Sequence, residues 1–73
     1  MAKISLAAAR VNTGLTQEQL AEKMGVSRQM VIEWESGKRE MRTVYLYAFC
    51  HITGFSEDDI FLPDKSTESR QEA

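Results

Sequence analysis

Apolar residues recur along the chain at helical spacing, and each periodic stretch stops at a glycine. Gly14, Gly25, Gly37 and Gly54 cut the sequence into segments of about two to three helical turns. Leu6 and Ala9, with Val11, predict the inner face of an Ala-rich helix over 4–12. Leu20, Ala21 and Met24 mark a second stripe, and Val31 and Trp34 a third. No alternating run lies between hairpin turns, so no strand is expected.

The chain is organised around residues 16–38. Thr16 is placed to cap the second helix, and Gln19, three residues on, completes a capping box. Gly25 tolerates the left-handed conformation that ends a helix and turns the chain sharply. Val26 is a lone apolar residue in that turn and plugs the angle between the helices. Ser27 caps the next helix, which Gly37 ends. Helices joined by a turn this short cross steeply with their backbones close, and small Ala21 leaves room for the crossing. These positions in register describe a helix-turn-helix.

With those residues in place, the stretch TQEQLAEKMGVSRQMVIEWESGKR resembles the DNA-binding domain of the lambda-repressor and Cro-type regulators, the XRE family. The resemblance covers roughly residues 6–62 and is densest over 10–39. It implies an all-α, lambda-repressor-like domain. Four positions depart from the family pattern, and two of them, Ile32 and Glu33, fall where neutral or basic residues are common. Met41 stands where Pro is usual in the loop, and Arg42 where a Ser cap is usual, which makes the start of the fourth helix less rigid.

That fourth helix, over 43–53, is apolar nearly all round, from Val44 and Tyr45 to Cys50 and Ile52. A helix of this kind is either central to the core or touches something on a second side; so small a domain cannot enclose it completely, and a partner contact is expected. Leu15 is expected as a buried link between the first two helices. After Gly54, Phe55 packs back and Ser56 caps a fifth, short helix. Glu57, Asp58 and Asp59 lie in the positive first turn of that helix, and Ile60, Phe61 and Leu62 complete the apolar set. Residues 1–63 then form one domain of five helices. Residues 64–73, polar and charged, are expected to be a disordered tail.

Composition narrows the function. The chain has 73 residues and a net charge of −2, which by itself speaks against nucleic acid. The charge is unevenly placed. Up to Gly54, seven bases against five acids leave +2; beyond it, six acids against two bases leave −4. A mildly basic body permits DNA binding. The single cysteine, Cys50, fits a reducing cytoplasm and excludes an intramolecular disulfide. Cys50 and His51 are neighbours, but one such pair cannot fill a zinc site, so no metal and no cofactor is expected. No apolar stretch approaches membrane-spanning length, and the N-terminus is too weakly apolar for a signal peptide. No nucleophile–base pair, phosphate loop or paired-acid site is present, and the protein is read as a non-enzyme.

The helix beginning at Ser27 is the expected recognition helix. With Val31 and Trp34 inward, Gln29 and Glu33 point away from the core, with Ile32 beside them. Ser27 and Arg28 stand at the end that enters the major groove. Arg reads guanine O6 and N7, Gln reads adenine N6 and N7, Glu accepts from cytosine N4, and Ile32 can contact a thymine methyl. The alternative is a helix face that meets only solvent. Gln17, at the start of the preceding helix, is placed to hold a phosphate, a role that the family resemblance also carries to it. Lys38, Arg39, Arg42 and Thr43 are further candidates for phosphate contact. The resemblance also implies a structural pair, Arg10 with Glu35, locking the recognition helix to the body.

The sequence thus predicts a cytoplasmic, nucleoid-associated regulator, bacterial or phage-encoded. It would bind double-stranded operator DNA as a homodimer on palindromic half-sites and act as a repressor. The competing readings are an antitoxin-type repressor that also binds a toxin, and a protein–protein interaction module that keeps the fold without touching DNA.

Overall fold

The computed structural model describes residues 3–62. Four α-helices carry the architecture: α1 (Leu6–Asn12), α2 (Gln17–Met24), α3 (Arg28–Ser36) and α4 (Thr43–Thr53). A single 3₁₀ turn, Glu57–Asp59, follows. Two short strands, β1 (Ile4–Ser5) and β2 (Ile60–Phe61), pair in parallel, Ile4 opposite Ile60 and Ser5 opposite Phe61.

The expectation of five α-helices and no strand is corrected at both ends of the domain. The fifth segment makes only one 3₁₀ turn. Asp59 Oδ2 lies 3.0 Å from Ser56 Oγ and accepts at 3.4 Å from the Ser56 N–H. Ile60 is then extended, with φ −102° and ψ 129°. Ile4 is extended too, because Ser5 rather than a residue before it caps α1, its hydroxyl accepting from the Ala8 N–H at 3.1 Å. The two extended ends satisfy each other's backbone groups. Two-residue strands have no alternation to read, and the partners lie at opposite ends of the domain.

The caps of α2 and α3 follow from local chemistry. Thr16 and Gln19 form the reciprocal capping box, at 2.9 and 3.0 Å. Both helices end in the same way: the residue after the glycine donates its N–H to the carbonyl five residues back, and the glycine itself donates to the carbonyl three residues before it. For α2 these bonds are Val26 to Ala21 at 3.0 Å and Gly25 to Glu22 at 3.3 Å. For α3 they are Lys38 to Glu33 at 3.0 Å and Gly37 to Trp34 at 3.3 Å. Gly25 has φ +73°, and a β-carbon there would meet open space. Its constraint is therefore conformational, not steric.

The core is one cluster: Leu6 and Ala9 from α1, Leu20 and Ala21 from α2, Val31 and Trp34 from α3, Leu46 and Phe49 from α4, with Met41 and Ile60. Trp34 and Tyr45 pack tilted, ring centroids 5.1 Å apart. Met41 is buried. In place of a rigid proline, the loop into α4 is pinned by an apolar side chain in the core. Arg42 takes the capping position of α4 without a side-chain hydrogen bond.

Three apolar assignments change. Val11, two residues past Ala9 and so roughly 200° round the helix, is 63% exposed. Phe61 is exposed because its neighbour Ile60 takes the inward side of the strand. Leu15 is only half-buried, though it packs against the core. The tail expected over residues 64–73 lies outside the described residues.

Candidate nucleic-acid interface

The outer face of α3 follows from its inner one. Val31 and Trp34 are fully covered, so the opposite side of α3, at its N-terminal end, is turned away from the core. Ser27, Arg28 and Gln29 are exposed there. The Ser27 hydroxyl accepts from the Met30 N–H at 3.1 Å, so it is engaged in capping. Ile32 and Glu33 are half-buried.

Glu33 is held by two partners. Arg39 Nε donates to its Oε1 at 2.8 Å, and Gln29 Nε2 donates to its Oε2 at 3.4 Å. These donors, Arg39 foremost, hold the Glu33 carboxyl below its ordinary value, against a smaller opposing effect of desolvation. Neither bond was anticipated from the sequence. Gln29 and Glu33 are one turn apart on the helix, and that spacing was a readable signal. Arg39 comes back onto α3 because the chain reverses through Gly37 at φ +85°. Its own N–H also bonds the Glu33 carbonyl, at 3.2 Å.

At the other end of α3, Glu35 meets α1. Arg10 Nε donates to Glu35 Oε2 at 2.6 Å and Nη2 to Oε1 at 3.3 Å. Arg10 Nη1 also donates to the Leu15 carbonyl at 2.9 Å. Gln17 Nε2 adds a third donor to Glu35, at 3.0 Å. Gln17 is thus half-buried at the start of α2, its amide nitrogen turned toward Glu35 rather than outward. It shares a shallow depression with Arg10, Thr16, Glu18 and Arg28. That depression sets the start of a helix and the exposed Arg28 guanidinium beside the Glu18 carboxylate.

Lys38, Arg39, Arg42 and Thr43 are all exposed on the loop after α3 and the start of α4. Arg39 and Arg42 line a second depression together with Glu40, Met30, Trp34 and Tyr45. A loop and two helix starts therefore offer cations and backbone donors around α3.

A helix-turn-helix family model matches residues 6–60 of this sequence. The chain belongs to the XRE-type helix-turn-helix family. Members of this family with curated descriptions are similar across most of its length. An uncharacterised HTH-type transcriptional regulator of Methanothermobacter thermautotrophicus is 37% identical over 57 residues, 77% of this chain and 83% of the relative. One from Methanocaldococcus jannaschii is 42% identical over 48 residues, 66% of this chain and 73% of the relative. The crystal structure of the clp gene regulator ClgR from C. glutamicum is similar in fold, with TM-score 0.69 and 35% identity, over 74% of this chain and 70% of that one. This XRE-type protein is accordingly a transcriptional regulator with a helix-turn-helix DNA-binding domain. No helix among its described residues is long and apolar enough to cross a membrane.

Proposed function

We propose that this protein binds double-stranded DNA sequence-specifically, reads the major groove with α3, and acts as a repressor. The observation that carries the reading is the exposure of Ser27, Arg28 and Gln29 on a helix whose opposite side is locked into the core by Val31 and Trp34. In this reading Arg28 and Gln29 supply bidentate base contacts, each worth about 1–3 kcal/mol of discrimination. Ser27, Ile32 and Glu33 line the same groove wall. Lys38, Arg42 and Thr43, with the backbone N–H of Gln17, hold phosphates and fix the docking register. Arg39 lies in the same stretch, with its Nε already committed to Glu33.

A homodimer is part of the proposal. Val44 and Tyr47 lie one turn apart on α4 and are 67% and 56% exposed. Pairing through that face would present two recognition helices to half-sites about 34 Å apart. Repression follows from occupying an operator, which requires no further activity of the protein.

Selection of bound duplexes from a random DNA pool tests the reading. The expected result is an enriched palindrome with half-sites one helical turn apart. Binding to it should weaken steeply with salt, with a log–log slope of about −0.9 per phosphate neutralised. No enrichment, or affinity indifferent to salt, would overturn the reading in favour of a protein-binding module.

A further inference from the structure

We propose that Arg39 is a positioning residue for base recognition: through Glu33 it fixes the direction in which Gln29 presents its amide to the groove. This rests on the reading that Gln29 contacts bases.

The connection runs through one carboxylate. Arg39 Nε meets Glu33 Oε1 at 2.8 Å, and Gln29 Nε2 lies 3.4 Å from Oε2. An ionised carboxylate only accepts hydrogen bonds. The end of the Gln29 amide turned toward it must therefore be the NH₂, and the carbonyl oxygen faces the other way. One N–H and the oxygen's lone pairs remain to meet a base. That is one donor beside one acceptor, the complement of the adenine edge with its N6 donor and N7 acceptor. The order of the two is set by which end of the amide Glu33 holds.

Arg39 keeps Glu33 in that task. A bare carboxylate near the outer face of α3 would repel the DNA backbone and would be free to swing. The guanidinium neutralises it and ties one oxygen down, so the other points along the helix toward Gln29. The backbone enforces the arrangement: the reversal through Gly37 bonds the N–H groups of Lys38 and Arg39 to the Glu33 carbonyl at 3.0 and 3.2 Å. Lys38 leaves the same turn exposed and has no such partner among the described ion pairs. Two adjacent cations are thereby given different work, Lys38 toward phosphate and Arg39 toward the reading side chain.

The test uses the full chain as wild type and as Arg39→Ala, Arg39→Lys, Gln29→Ala and Lys38→Ala. Binding is measured on the selected site and on its single-base variants. Arg39→Ala should lose roughly tenfold in discrimination at the same base pair that Gln29→Ala affects. A double variant, Arg39→Ala with Gln29→Ala, should lose no more discrimination than Gln29→Ala alone. Arg39→Lys, which keeps the charge but not the planar guanidinium, should restore the discrimination only in part. If Arg39→Ala instead leaves every base preference intact and reduces the salt slope by about one phosphate, as Lys38→Ala should, Arg39 is a phosphate contact and the proposal fails. The DNA-free protein gives a separate readout, since Arg39→Ala should shift the Gln29 side-chain amide resonances. Unmoved resonances overturn the relay even where DNA binding is sequence-specific. Shifted resonances in a protein with no sequence preference would uphold the contact but remove the recognition role along with the functional reading.

Discussion

Arg10 and Glu35 face each other at 2.6 Å across the junction of α1 and the last turn of α3, their side chains 14% and 9% exposed. The contact is more than an ion pair. Glu35 receives donors from Arg10 and Gln17, and Arg10 also satisfies the Leu15 carbonyl between α1 and α2. One carboxylate and one guanidinium thus fasten three segments beside the end of α3.

Breaking this pair from one side should be costly. Arg10→Ala leaves Glu35 charged and nearly enclosed, and urea denaturation should show a loss of about 3 kcal/mol. That is the low end for a buried pair because Gln17 remains on the carboxylate. Replacing both partners with apolar residues, Arg10→Met with Glu35→Leu, should recover most of the loss. A loss below about 0.5 kcal/mol for Arg10→Ala would place the contact among ordinary surface pairs.

The turn between α2 and α3 should respond differently at its two small residues. Gly25→Ala meets no neighbour, so its cost is the left-handed backbone alone, about 1–2 kcal/mol. Ala21 is buried and its carbonyl accepts the Val26 N–H. Ala21→Leu should cost at least about 1–3 kcal/mol by overpacking, and should also weaken DNA binding by tilting α3. Thermal melts paired with binding measurements separate the two. If Gly25→Ala impaired binding more than Ala21→Leu at equal stability, this account of the turn would be wrong.

Glu33 supplies a pH signature. Its carboxyl lies below the ordinary 4.5, chiefly through the hydrogen bond from Arg39 and then that from Gln29. A folded value below the unfolded one favours the carboxylate in the native state. Its contribution is therefore complete at neutral pH and disappears as pH falls through the folded midpoint, on the acid side of 4.5. An NMR titration of the Glu33 carboxyl carbon should show the depressed midpoint, and Arg39→Ala should raise it. A midpoint insensitive to that substitution would mean that the pair does not persist in solution.

The proposed division between reading and anchoring side chains has its own test. Arg28→Ala and Gln29→Ala should weaken binding to the selected site far more than to random duplex. Lys38→Ala should weaken both about equally and flatten the salt dependence. Equal losses from all three would mean that the wrong face of α3 had been assigned to the groove.

The exposed apolar face of α4 is open to a direct measurement. Sedimentation should show dimers at micromolar concentration, and Val44→Asp or Tyr47→Asp should shift the population toward monomer without lowering the melting temperature by more than a few degrees. Wild-type monomers at high micromolar concentration, with and without DNA, would remove the homodimer.

Much of the helical framework was legible because its signals are local. Thr16, Gln19, Gly25, Ser27 and Gly37 each act within one turn of chain, and the structure has caps or reversals at all of them. The parallel strands were not legible, since pairing Ile4 with Ile60 depends on where four helices deliver the ends. Val11 and Phe61 were misread for a related reason: apolar character says that a side chain gains by burial, not that its side of the element has a neighbour. At the interface, the outward direction of Arg28 and Gln29 followed from helical geometry. The contacts that engage Gln17 and Glu33 required knowing which side chains the tertiary fold and the Gly37 reversal bring beside them.

The parallel ladder has a mechanical corollary. Since Ile4 and Ser5 hold Ile60 and Phe61 directly, unravelling cannot start at one extremity and spare the other. Amide exchange followed at either strand reports the same opening event, and a label placed beside one monitors both.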